Sequence, residues 1–275
     1  MRYFLSILRE SFYRSIADGC FSIAKGAAYS LILSFFPTML VLAWLLAGSR
    51  TTAALMREIT HALGRVLPPT VSQSALQFFA SDPERPMQLI VIAAAIALLA
   101  STGVMSSFMQ GFRAAYRIRT QWSFWKEELV ATALVFLAGT PLLAATALVV
   151  FGAQVQDWLV GELGAPSLVG SAWAAMRWIV AITTGTLVLS IIYYVGPNRE
   201  ESFHWVFPGA LLATLAWVAT TAVFGWYVQN VAQYTGLYGG LGTAVALMVW
   251  MYLLAAIVML GAQFNAVHER RRRGM

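Results

Sequence analysis

The chain has 275 residues, of which 59% are hydrophobic and 11% charged, against roughly 45–50% and 25% for soluble domains. That composition excludes a water-soluble globule, and the single cysteine, Cys20, excludes an internal disulfide framework or a multi-thiolate metal site. The net charge of +6 is small, so the information lies in where the cations fall.

Residues 1–25 are punctuated by Arg2, Arg9, Arg14 and Lys25 and hold no uninterrupted apolar core of the kind a cleavable signal needs. Phe4, Leu5, Leu8, Phe12 and Ile16 recur at helical spacing, away from Arg2, Arg9 and Asp18. The pattern predicts an amphipathic helix, lying on the membrane surface or packed on the rest of the protein. Windows free of Asp, Glu, Lys and Arg then follow at 26–49, 86–112, 129–156, 178–198 and 202–268. The last is too long for one crossing of a ~30 Å hydrocarbon core. It is broken at Gln229-Asn230 and at the glycine-rich run from Thr235 to Gly242, which predicts two spans joined by a tight turn. The expected fold is all-α: a polytopic bundle of six transmembrane helices at about 27–47, 87–110, 130–152, 174–195, 206–228 and 242–264. Helices are expected because every backbone polar group in hydrocarbon must be paired within its own segment. Residues 48–86 are expected to form a loop whose apolar stretch around Leu55, Ile59, Leu63 and Val66, ending at Pro68-Pro69, predicts a short helix resting on the membrane surface, and 265–275 are expected to form a basic tail.

With both ends on one side, that side carries thirteen Lys and Arg and the other five. The bias places both termini in the cytoplasm and the 48–86 loop outside.

A catalytic site needs several groups converging. In this topology His61 is outside while His204 and His268 are inside, so the three cannot meet. There is no HExxH, no GxSxG, no phosphate-binding Gly-rich loop followed by Lys-Ser or Lys-Thr, and no carboxylate pair within a span. No enzyme activity, cofactor or metal is expected, and the basic segments are too short to suit nucleic acid. The spans carry uncharged polarity instead. Gly26, Ser30 and Ser34 form a small-residue stripe that reads first as helix packing. Pro37 and Pro141 each remove one helical hydrogen bond. The loop from Arg113 through Arg117 to Arg119, followed by Trp122, Phe124 and Trp125, mixes cations with interfacial aromatics, a combination suited to anionic headgroups as well as to ordinary positive-inside bias.

In the second half, Tyr193-Tyr-Val-Gly-Pro-Asn-Arg199, Phe207-Pro-Gly-Ala210, Gln229-Asn230, Tyr234-Thr-Gly-Leu-Tyr-Gly-Gly240, Trp250-Met-Tyr252 and Leu260-Gly-Ala-Gln-Phe-Asn265 resemble the YihY/BrkB family of bacterial inner-membrane proteins, as does Ala28-Tyr-Ser-Leu-Ile-Leu-Ser-Phe-Phe-Pro37 in the first span. The resemblance covers nearly the whole chain and implies six helices with both ends cytoplasmic. Gln263 stands where that family often has a glutamate. Relatives in it are labelled virulence factors, carry an inherited ribonuclease name, or are linked to movement of lipopolysaccharide precursors.

Together these readings lead to the expectation of an inner-membrane, transporter-like protein that moves or handles a lipid or another amphiphilic envelope molecule. The alternatives are a structural or regulatory membrane component and a small-solute exporter. The expected partners are membrane lipids, with an anionic lipid or glycolipid as the substrate. Candidate contacts are Tyr29, Ser34, Pro37, Arg113, Arg117, Arg119, Tyr193, Asn198, Arg199, Tyr227, Asn230, Tyr234, Tyr238, Gly239, Gln263 and Asn265.

Overall fold

A computed structural model describes residues 2–47, 87–118, 122–163, 166–199, 202–230 and 239–274. Among them are seven α-helices and no strand. α1 (Arg2–Ala17) is followed by α2 (Cys20–Ala47), α3 (Met87–Tyr116), α4 (Phe124–Leu163), α5 (Pro166–Val195), a single 3-10 turn (Phe203–Trp205), α6 (Phe207–Asn230) and α7 (Gly239–Arg272). Among the described residues six stretches are long and apolar enough to cross a membrane: Cys20–Leu42, Met87–Tyr116, Phe124–Leu148, Ser171–Val195, Phe203–Tyr227 and Ala244–Arg272. α4 has 40 residues, about 60 Å at the helical rise, so it continues beyond its apolar span. The expected loop at 48–86 and the turn at 231–238 lie outside the described residues.

Two local signals shape the start of the chain. α1 ends where Gly19 adopts a φ of +71°, a left-handed conformation that glycine takes without steric cost and that redirects the chain into α2. α2 then runs through Pro37 without a break in its helix.

Consecutive helices from α2 to α7 pack side by side, and α7 packs back on α2, so the six form a ring. α1 lies against α7. Small residues set the closest approaches. Gly26 faces Ser107, and a Cβ on Gly103 would lie 3.3 Å from Ser30 Oγ, so the Gly26/Ser30 stripe is the surface on which α3 rests. α3 also meets α7 across the ring, where Gly111 faces Met259.

Burial is unequal along the ring. On α2 the buried residues are Cys20, Ala24, Ala27, Ala28 and Ser34; on α5 they begin at Thr186; on α7 every residue from Gly261 to Val267 is buried. These stretches share one end of the bundle, the end that carries α1. At the far end α5 is half-buried or exposed from Ser171 to Gly185, with Met176 and Trp178 open, and beside it Met87 and Leu89 of α3 and Trp226 of α6 are open as well.

Candidate functional site

The buried polar residues of the α1 end converge from motifs far apart in sequence. α6 starts at Phe207 with Pro208 next, and Gly209 is the first residue after them to hold an N–H that no earlier turn can accept. Asn265 of α7 supplies the missing partner. Its Oδ1 accepts from Gly209 N at 2.7 Å, and its Nδ2 donates to Val206 O at 2.8 Å. Asn265 therefore caps a helix other than its own. A Cβ on Gly209 would strike Gly261 O and the Asn265 side chain, and one on Gly261 would strike Tyr193 Oη, Ala213 Cβ and Gly209 O. The Phe207-Pro-Gly-Ala210 and Leu260-Gly-Ala-Gln-Phe-Asn265 segments are thus two sides of one contact.

Tyr193 ties α5 to the same place. Its hydroxyl donates to Val258 O at 2.7 Å, and its ring meets Phe112 edge-on at a centroid distance of 5.2 Å. Gly196 leaves room for that phenylalanine, because a Cβ there would come within 3.0 Å of Phe112 Cδ2. Beside this contact, Gln263 Nε2 donates to Asp18 Oδ2 at 3.0 Å, and its Oε1 lies 3.9 Å from Cys20 Sγ.

A layer of ion pairs closes the end. Arg113 Nη2 donates to Glu127 at 2.7 Å, Arg117 reaches Asp18 at 3.5 Å, and Arg199 pairs with Glu269, which Arg273 also contacts at 3.2 Å. The Arg199 guanidinium sits 3.9 Å above the Tyr116 ring. Arg270 Nη2 donates to Ala115 O at 2.6 Å, placing a cation on the free carbonyls at the end of α3. α3 itself stops in a left-handed turn: Arg117 has φ +57°, with Arg117 N bonded to Ala114 O and Ile118 N to Arg113 O, the pairing that glycine usually completes. On α1, burial would raise the Glu10 carboxyl, but hydrogen bonds and charge from Arg271 and Arg14 outweigh it and hold the group below its usual range.

The candidate contacts fall into distinct places. Tyr193, Gln263 and Asn265 are buried to within 1% and their polar atoms are engaged by protein, so they pin helices and do not face lipid. Arg113 is buried and committed to Glu127, and Arg199 to Glu269 and Tyr116. Ser34 is buried and bonds Leu31 O at 3.0 Å. Asn198 has φ +56° in the turn after α5, a conformation asparagine tolerates. Tyr29 is 63% exposed on the outer surface of α2; Pro37 and Tyr227 are half-buried. Asn230 ends α6 and Gly239 opens α7, while Arg119, Tyr234 and Tyr238 lie outside the described residues. Asp18, Glu127, Glu269, Arg270 and Arg271 join the site without being singled out by motif. Their signal is the scarcity of acids amid many arginines: each acid that remains buried has to find one. His204 and His268 both approach the Trp205 ring, at 4.8 and 6.0 Å, and no group of three or more His, Cys, Asp or Glu able to hold a metal occurs among the described residues.

Among the described residues, seven helices, six of them able to span a membrane, with their polar contacts gathered at one end, define a polytopic α-helical membrane protein. The family model described as Virulence factor BrkB matches residues 11–274, and the chain belongs to that family. It is similar to a ribonuclease-like protein, YfkH, of Bacillus subtilis (strain 168), with 29% identity over 274 residues, 98% of this chain and 97% of that protein. It is also similar to a UPF0761 membrane protein of Alteromonas mediterranea, 26% identical over 86% of this chain and 79% of that one. For a UPF0761 membrane protein of Alkalilimnicola ehrlichii the identity is 23% over 90% of this chain, which spans only 55% of the relative's length. No solved structure matches.

Proposed function

We propose that this protein is a transporter-like bundle of the bacterial inner membrane that handles a lipid or another amphiphilic molecule, with both termini cytoplasmic, and that it is not a nuclease. The observation that carries the reading is the unequal burial along the ring. The α1 end is fixed by cross-helix hydrogen bonds and ion pairs, while the far half of α5 holds no buried residue between Ser171 and Gly185. Helices held at one end and loosely packed at the other can part at the loose end and admit an amphiphile sideways from the bilayer. The bias of thirteen Lys and Arg against five supports the orientation.

The test is reconstitution of the full-length protein into vesicles with fluorescent anionic lipids. Exchange between leaflets should be faster than in protein-free vesicles. Exchange at the protein-free rate overturns the transport reading and leaves a structural or regulatory membrane component. RNA degradation that co-purifies with the protein and disappears in Glu269→Gln or His204→Ala overturns the exclusion of a nuclease.

A further inference from the structure

α1 has three faces. Ile7, Ser11 and Ser15, at i, i+4 and i+8, are buried toward the bundle. Leu5, Leu8, Phe12 and Ile16 form a second face and are 39–56% exposed. The third face carries Ser6, Arg9, Glu10, Tyr13 and Arg14, which with Arg271 of α7 line a cavity of about 410 Å³.

The charges lining that cavity do not balance. Glu10 is shared between two cations: Oε1 accepts from Arg14 Nε at 2.8 Å and Oε2 from Arg271 Nε at 2.9 Å. Arg271 is further fixed by donating from Nη1 to Ser6 Oγ at 2.7 Å. With Arg9, three guanidinium groups face one carboxylate among the lining residues. Two positive charges are left over, and a guanidinium fork matches the oxygens of a phosphate.

The position of Arg9 decides what carries the phosphate. Its neighbours at i−4, i+3 and i+4 are Leu5, Phe12 and Tyr13, so the cationic cavity borders the exposed apolar face. A small free anion would satisfy the arginines and leave Leu5, Phe12 and Ile16 unburied. An anion attached to hydrocarbon satisfies both, because burial of the apolar strip is favourable in the same pose. We infer that the cavity between α1 and the end of α7 binds the phosphate of an anionic lipid, with Arg9, Arg14 and the Tyr13 hydroxyl donating to its oxygens and the acyl chains lying along Leu5, Phe12 and Ile16. The site is defined by binding alone and stands whether or not the bundle moves lipid.

The test is native mass spectrometry of the full-length protein in detergent, titrated with phosphatidylglycerol and phosphatidylcholine of identical chains. The protein should retain phosphatidylglycerol in preference. Arg9→Gln should cut that preference about five-fold, the worth of one cation near an anionic headgroup. Arg9→Lys should keep most of it, and Phe12→Ser should weaken retention of both lipids. Arg9 and Phe12 are exposed, so helix content by circular dichroism should be unchanged in all three variants. Equal retention of the two lipids, or full preference in Arg9→Gln, overturns the assignment. Displacement of phosphatidylglycerol by millimolar inorganic phosphate would show a free-anion site and overturn the lipid assignment as well.

Discussion

The two ends of the bundle are built from the same kind of apolar helix and held in different ways. At the α1 end, α6 and α7 approach until Gly209 and Gly261 leave no room for a side chain, and the buried hydrogen bonds of Asn265 and Tyr193 depend on that approach. At the far end, α4 and α5 meet through long side chains: Trp173 Nε1 donates to Gly152 O at 2.5 Å, and the Arg177 side chain lies over the same glycine. Backbone-to-backbone packing with polar pins has few alternative arrangements, because any shift leaves buried polar groups unpaired. Contacts through long side chains can re-form after a shift. The difference teaches that a fixed arrangement here comes from small residues and cross-helix hydrogen bonds, while the apolar character shared by all six spans fixes little.

The largest effect that separates the ends is expected at Asn265. Asn265→Ala leaves the Gly209 N–H without its partner in a buried site, at about 1–3 kcal/mol, and removes one of the two donors to the Val206 C=O, which keeps the Ala210 N–H at 3.1 Å. Thr184→Ala, on the half-buried far part of α5, should change stability by less than about 0.5 kcal/mol. Thermal unfolding in detergent, followed by circular dichroism, measures both. Equal losses would remove the distinction between the ends.

Next in size is Gly261→Ala. The added methyl meets Tyr193 Oη, Ala213 and the Gly209 carbonyl, and overpacking of this kind costs about 1–3 kcal/mol. The same substitution at Gly139 meets nothing within 4 Å and should be neutral or slightly stabilising, since alanine is the better helix former by about 1 kcal/mol. The same unfolding measurement checks both.

A smaller effect of opposite sign is expected at Arg117. Its left-handed φ of +57° costs about 1–2 kcal/mol for a residue with a Cβ, whereas its ion pair to Asp18, with the Arg117 side chain 61% exposed, is worth about 0–1 kcal/mol. Arg117→Gly should therefore raise the unfolding temperature slightly, and Arg117→Ala should not.

The smallest effect is a dependence on pH at the junction of α1 with α7. Glu10 titrates below its ordinary 4.5 in the folded protein because Arg271 and Arg14 overcome the effect of burial. Its contribution is complete above pH 4.5 and is lost as the pH falls through the lower, folded value. Limited proteolysis of α1 should accelerate over that acid window, and Glu10→Gln should abolish the change with pH.

Much of the fold is legible in the chain because the membrane makes it so. Charge-free windows mark the helices, since unpaired charge is costly in hydrocarbon, and the Gly26/Ser30 stripe announces a close helix contact that Gly103 and Ser107 complete. The site is less legible. Asn265 and Gly209 are 56 residues apart, and their pairing depends on the register of α6 against α7, which hydropathy does not encode. The motifs around Tyr193, Gln263 and Asn265 attract a functional reading because polar residues stand out in an apolar segment, yet all three satisfy backbone or side-chain partners inside the protein. Arg113 is hidden differently. An excess of cations near a membrane surface looks alike whether the cations are free or paired, and only the folding of α3 beside α4 brings Glu127 to Arg113. The arginines of the α1–α7 cavity come from opposite ends of the sequence, Arg9 and Arg14 from one and Arg271 from the other, so no local motif joins them.

The claim that the far end opens while the α1 end stays closed is tested most directly by spin-label distances in lipid nanodiscs. Labels at Met87 and Trp226 report the far end and labels at Phe124 and Phe203 the α1 end, all four positions being exposed, in a Cys20→Ala background. The account predicts a broad Met87–Trp226 distance distribution that shifts by several ångströms when anionic lipid replaces neutral lipid, beside a narrow and unmoved Phe124–Phe203 distribution. Two equally narrow distributions that do not respond to lipid, or movement confined to the Phe124–Phe203 pair, would contradict it.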